Sequence, residues 1–138
     1  MTDFDQLIKI PDFDTLFVFN DNLSQFKAFH AWLAGGSAGE GPACAKGGGN
    51  AVVRPYQCKD PPLAAGIPTG PGWSTLTTEA RRAIDKGLAH IADLVETHDY
   101  GYIAYSATPD GGLGTSIFDV GADVKAYILG GLKALTRP

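Results

Sequence analysis

The residues best suited to chemistry in this chain gather in two glycine-rich loops and at the polar end of one apolar run. "KGGGNAVV" brings Gly47, Gly48, Gly49 and Asn50 together, with Lys46 beside them. "DGGLGTS" does the same for Asp110, Gly111, Gly112, Gly114, Thr115 and Ser116. Exposed backbone N–H groups in such loops form nests that bind anions, and the Thr115 and Ser116 hydroxyls add donors. Each loop also reads as a tight turn in which glycine relieves the backbone. Asp21 and Asn22 follow "TLFVFN" directly. There they either hold a ribose hydroxyl or a base amine, or are satisfied by nearby backbone amides. Asn50 either bonds a sugar or caps a helix start. Phe118, Tyr56 and Trp73 offer flat faces to a base, or anchor core and loops.

Support for catalysis is weaker. Cys44 sits in a glycine-rich loop without a patterned histidine near it, so a packing thiol is the better reading than a nucleophile. His98 closes a helix, where it offsets the dipole. The chain holds no HExxH or P-loop motif. His30, His90, His98, Cys44 and Cys58 do not complete a zinc spacing, so no metal and no cofactor are expected.

The elements that position these residues follow from patterning. "TLFVFND" is a short strand buried on both faces. A helix follows, with Asn22 as N-cap and Gln25 three residues on; Leu23, Phe26, Phe29 or His30, and Leu33 form its stripe. Gly35 and Gly36 end it. Five prolines between residues 55 and 72 keep that stretch extended or turning, with a short strand in "LAAGIPTG". The clearest helix has Leu76, Ala80, Ile84, Leu88, Ile91 and Val95 on one face, capped by Thr77 or Thr78. "YGYIAYSA" is the next strand. The last helix turns Val124, Ile128, Leu132 and Leu135 inward, with Lys125 and Lys133 outward. Alternating strands and helices predict an α/β three-layer sandwich around a mostly parallel or mixed sheet. Residues 1–14 form an N-terminal arm, and 15–138 a single domain. The polar loops then converge beyond the carboxyl ends of the strands.

Composition narrows the partners. The 138 residues carry a net charge of −4, and no run of Lys or Arg occurs. Duplex nucleic acid is an improbable ligand on that basis. No stretch approaches the ~20 apolar residues of a membrane span. The acidic opening "MTDFDQLIKIPDFD" lacks the apolar core of an export signal, which predicts a cytoplasmic protein with both cysteines as reduced thiols.

"FVFNDN", "GGGNAVVRP" and "AAGIPTG", in this order, resemble a group of small, often phage-borne proteins with FGDN-, GGQA- and GIPTK-type segments. These are similar in turn to macrodomains, which bind ADP-ribose. The likeness touches about two-thirds of the chain as short motifs. It implies a macrodomain-like fold in which Asp21 and Asn22 follow the first strand. Gly47, Gly48, Gly49 and Asn50 would match the GGG run, and Gly111 to Thr115 the diphosphate loop. The chain departs from the pattern in three places: a whole helix stands between the first two motifs, Asn20 replaces a glycine, and Gly70 replaces the basic residue of GIPTK.

Together these readings predict a binder of an ADP-ribose-class nucleotide. The diphosphate would rest on the two glycine loops, with Asp21 or Asn22 on the base or sugar and an aromatic such as Phe118 over the open face. The phage association implies a sponge for a nucleotide immune signal. One alternative is a hydrolase of ADP-ribosyl derivatives, using Asp21, Asp110 or a water on Asn50. The other is a non-enzymatic interaction protein, a homo-oligomer whose glycines serve only turns.

Overall fold

Strand β1 (Thr15–Asp21) is the centre of the molecule and is buried along almost its whole length. The computed structural model describes residues 15–35, 42–45, 47, 49–59, 61–105 and 120–135. On one side of β1 lies β2 (Ala64–Pro68), parallel, with pairs from Phe17↔Ala64 to Asp21↔Pro68. On the other lies β3 (Tyr102–Tyr105), also parallel, from Thr15↔Tyr102 to Val18↔Tyr105. The sheet order is β2-β1-β3. Parallel neighbours require long crossovers. Helix α1 (Leu23–Gly35) lies in the first, with a 3₁₀ turn (Pro42–Cys44) and a longer 3₁₀ segment (Gly49–Cys58). Helix α2 (Thr78–Thr97) forms the second, and helix α3 (Ala122–Leu135) follows β3. The alternation expected from the sequence is present, as an α/β fold with a parallel sheet.

Successive side chains of a strand face opposite ways, and β1 buries both sets. Leu16 and Val18 join Ala65 and Ile67 of β2 against Ala80, Ile84 and Ile91 of α2 and Val124, Ile128 and Leu132 of α3. Phe17 and Phe19 join Ala64 on the other face, against Ala51 and Val53 of the 3₁₀ segment. Burying each large apolar side chain contributes roughly 1.5–3 kcal/mol. Truncating a fully buried one such as Ile84 to alanine costs about 2–5 kcal/mol.

Helix ends follow the expected chemistry. Gln25 N donates to Asn22 Oδ1 at 2.8 Å, so Asn22 caps α1. Ala80 N donates to Thr77 Oγ1 at 3.1 Å, so Thr77, not Thr78, caps α2. His98 is the C-cap of α2, its N–H bonded to Leu94 O at 2.8 Å.

Three expectations need revision, and the core reading of Trp73 holds. "NAVVRPYQC" is a 3₁₀ segment, and it runs through residues 55–58 instead of turning extended at Pro55. A proline φ near −65° suits 3₁₀ geometry as well as it suits extended chain. Leu33 is 47% exposed, because Phe29 and His30 complete the contact of α1 with α2 one turn earlier. Trp73 is buried with the α2–α3 core and so is a packing residue. Cys44 and Cys58 form a disulfide instead of two free thiols, their Cα atoms 6.0 Å apart. The folding back of the 3₁₀ segment onto Ala43 brings them within bridging range.

Among the described residues no helix is long and apolar enough to cross a membrane. The arm at 1–14 lies outside the described residues.

Candidate functional site

Strand alternation places Asp21 on the same face as Phe17 and Phe19, toward the 3₁₀ segment. There it meets Arg54. Arg54 Nη2 donates to Asp21 Oδ1 at 2.5 Å, with Asp21 1% and Arg54 4% exposed. The same oxygen accepts from Asn22 N at 3.0 Å. Arg54 Nη1 donates to Ala45 O at 3.0 Å, and its guanidinium lies 6.0 Å from the centre of the Phe19 ring. Two polar atoms of the pair, Asp21 Oδ2 and Arg54 Nε, are buried without a hydrogen-bond partner. Burial pushes the Asp21 carboxyl up, against the opposing pull of the Arg54 hydrogen bond and charge.

Two glycines make room for this pair. A side chain on Gly47 would begin 2.7 Å from Arg54 Nη1 and 2.9 Å from Ala51 Cβ. On Gly66, which pairs with Phe19 in the sheet, it would begin 3.1 Å from the Phe19 ring and 3.2 Å from Asp21 Oδ2. Gly47 therefore has a packing reason of its own. So do two other expected site residues: Asp21 neutralises Arg54, and Asn22 caps α1.

Beyond Asp21 the strands open into a shared rim. β1 and β2 end side by side at Asp21 and Pro68. Thr69 N and Oγ1 both donate to Asp21 O, at 2.9 and 3.3 Å. Leu23 N donates to Gly70 O at 2.8 Å, tying the start of α1 to the end of β2. Gly70 has φ +131°, a conformation closed in practice to a lysine, so the departure from GIPTK matches the local backbone. The central strand flanked by two crossovers in opposite directions is where open parallel sheets bind ligands.

No family model, curated protein or solved structure matches this chain. The site is therefore read from its own residues.

Of the expected ligand residues, Asp21, Asn22, Gly47, Gly49 and Asn50 lie among the described residues. The first three surround the Asp21–Arg54 pair or the start of α1. Gly49 and Asn50 open the 3₁₀ segment, so Asn50 stands inside its first turn and not ahead of it. Gly48, Asp110, Gly111, Gly112, Gly114, Thr115 and Phe118 lie outside the described residues. Tyr56 is half-buried against the Phe17–Phe19 cluster. Arg54 was not singled out from the sequence. The available signal was a lone arginine inside "AVVRPY", at the start of which apolar residues surround a charge that must find a buried partner.

A second polar cluster joins α1 to α2. The rings of His30 and His90 are 5.3 Å apart, edge to face, with Phe26 4.3 Å from His30 and Phe29 5.5 Å from His90. Burial, then the charges of His90 and Lys86, lowers His30 to about 4. Burial also lowers His90, with Asp93 opposing. Both rings are neutral packing elements at pH 7. No group of three or more metal-ligating side chains is present among the described residues.

Proposed function

We propose that the chain is a macrodomain-like α/β module that binds a nucleotide of the ADP-ribose class at the carboxyl rim of its parallel sheet. The observation that carries this reading is the side-by-side ending of β1 and β2. It delivers Asn22, Thr69 and Gly70 to one rim beside the central strand. Backbone donors suit an acidic protein, because they bind a diphosphate without a basic patch. A binder is favoured over a hydrolase because Asp21, the carboxylate that ends β1 at that rim, is sealed from solvent and held by Arg54. A group so enclosed is poorly placed to take a proton from a water. Sequestration of a nucleotide immune signal is the specific form of this function that the phage-type resemblance suggests.

A second reading has its own support. Asp21, Asn22 and Gly47 all have structural tasks, and Leu33 and Tyr102 (67% exposed) present apolar surface to solvent. An interaction protein that assembles through such surface requires no nucleotide.

Thermal shift against ADP-ribose, cyclic ADP-ribose isomers, NAD, AMP and cyclic dinucleotides separates the readings. A ligand at 100 times its Kd adds ~2.7 kcal/mol to stability. A hit recovered intact after heat release supports the binder, and recovery of an altered product replaces it with the hydrolase. A flat panel rejects nucleotide binding and leaves the interaction protein.

A further inference from the structure

The disulfide encloses the segment that carries Arg54. Cys44 ends the 3₁₀ turn and Cys58 ends the 3₁₀ segment, 14 residues apart. Both cysteines are half-buried, so a small thiol has access that a core disulfide would deny.

Among the described residues, three further ties run between the two strips of chain that the disulfide joins. Arg54 Nη1 donates to Ala45 O at 3.0 Å, Gln57 Nε2 to Ala43 O at 2.7 Å, and Gly47 N to Ala51 O at 3.1 Å. Ala43, Ala45 and Gly47 thus brace the Arg54 segment on one side while Asp21 receives Arg54 on the other. Ala45, which accepts from Arg54, is the next residue after Cys44, and Gln57, which grips Ala43, is the residue before Cys58. The covalent bond and the brace occupy the same few residues, so loss of one loosens the other.

We propose that the Cys44–Cys58 bond is a reversible thiol–disulfide latch that sets how firmly Arg54 is seated on Asp21. Opening needs two equivalents of a low-molecular-weight thiol such as glutathione. The first thiolate attacks one cysteine sulfur, forms a mixed disulfide with it and expels the other cysteine as a thiolate. The second attacks the mixed disulfide, releasing the remaining cysteine and one small-molecule disulfide. The protein gains two electrons and two protons, and the two thiols lose them. Closing is the reverse, with oxidised glutathione as oxidant. The latch does not depend on which ligand, if any, occupies the rim.

Amide hydrogen exchange on the whole chain, oxidised and after mild reduction, tests it. The open form should exchange roughly 10–100-fold faster across residues 49–58, with α2 unchanged. The carboxyl ¹³C resonance of Asp21 should move as its partner loosens. Oxidised glutathione should restore both, with loss of two free thiols. The Cys44→Ser/Cys58→Ser variant should match the reduced protein without any thiol; if it does not fold, the reduced natural chain carries the comparison. Equal exchange over 49–58 in both forms overturns the latch. So does a uniform rise that includes α2, which marks a merely structural bond, or a failure to re-close.

Discussion

Arg54 and Asp21 stand 33 residues apart in the chain, yet the guanidinium Nη2 of one lies 2.5 Å from the carboxylate Oδ1 of the other. The bond crosses from the 3₁₀ segment to the end of the central strand. It therefore fastens the layer under one sheet face to the point where the sheet opens. Two atoms of the pair remain without partners, so it stabilises by holding position more than by net energy.

Removing one partner of that pair is far costlier than removing both. Arg54→Leu leaves a buried carboxylate unpaired and should destabilise by about 3–5 kcal/mol. Arg54→Leu combined with Asp21→Leu should recover a large part of that loss. Urea unfolding of the two variants checks this. Equal losses in both would show that the residues do not depend on one another.

Asn22 separates a capping role from a ligand role. Asn22→Ala should cost about 1 kcal/mol by exposing the Gln25 amide, and Asn22→Ser should restore it. If nucleotide affinity falls in the alanine variant and returns in the serine variant, the residue acts through α1. Affinity lost in both, with the serine variant at full stability, would place the amide group on the ligand.

The two histidines make stability fall on the acid side. In the folded chain His30 titrates at about 4 and His90 is also lowered, whereas both titrate near 6.5 once unfolded. Unfolding therefore takes up protons, and the contribution is complete above about 6.5 and lost as pH falls toward about 4. His30 is half-buried, so after discounting for solvent screening the effect is roughly 1–2 kcal/mol. Unfolding midpoints measured across that window should fall, and His30→Phe should flatten the slope. An unchanged slope in that variant would remove His30 as the cause.

Two glycines in different settings should respond to alanine with opposite signs. Gly130 lies exposed inside α3 with open space where a Cβ would stand, so Gly130→Ala should stabilise by about 0.5–1 kcal/mol. Gly47→Ala should destabilise by roughly 1–3 kcal/mol, since its new methyl meets Arg54 and Ala51. Thermal unfolding of both variants is sufficient. A neutral Gly47→Ala would mean that the loop shifts freely and that Arg54 does not need its present seat.

The strand-helix order was legible because each element has a local signature. A short unbroken apolar run bounded by polar residues marks β1, the cap at Asn22 marks α1, and a long apolar stripe behind Thr77 marks α2. The 3₁₀ segment had no such signature: "NAVVRPYQC" shows neither strand alternation nor a sustained helical stripe, and its proline argued for extended chain. The Asp21–Arg54 pair and the Cys44–Cys58 bond were illegible for a different reason. Each joins parts of the chain that the folding back of the 3₁₀ segment, Gly49–Cys58, brings together. Asp21 and Gly47 were singled out for a ligand, and the same features that drew attention to them, a buried acid and a missing side chain, also serve Arg54.

The middle position of β1 has a consequence for biosynthesis. Phe17 emerges before either of its neighbours in the sheet, Ala64 on one side and Ala104 on the other. Both faces and both edges of this strand must wait for chain made much later, and contacts so distant in sequence form slowly. A ribosome that has passed β2 but not β3 holds an apolar strand with one edge open, the kind of surface that recruits other chains. Among the described strands, β1 precedes both of its partners and is paired on both edges only once β3 arrives. Yield in cells should depend on how quickly residues 102–105 arrive.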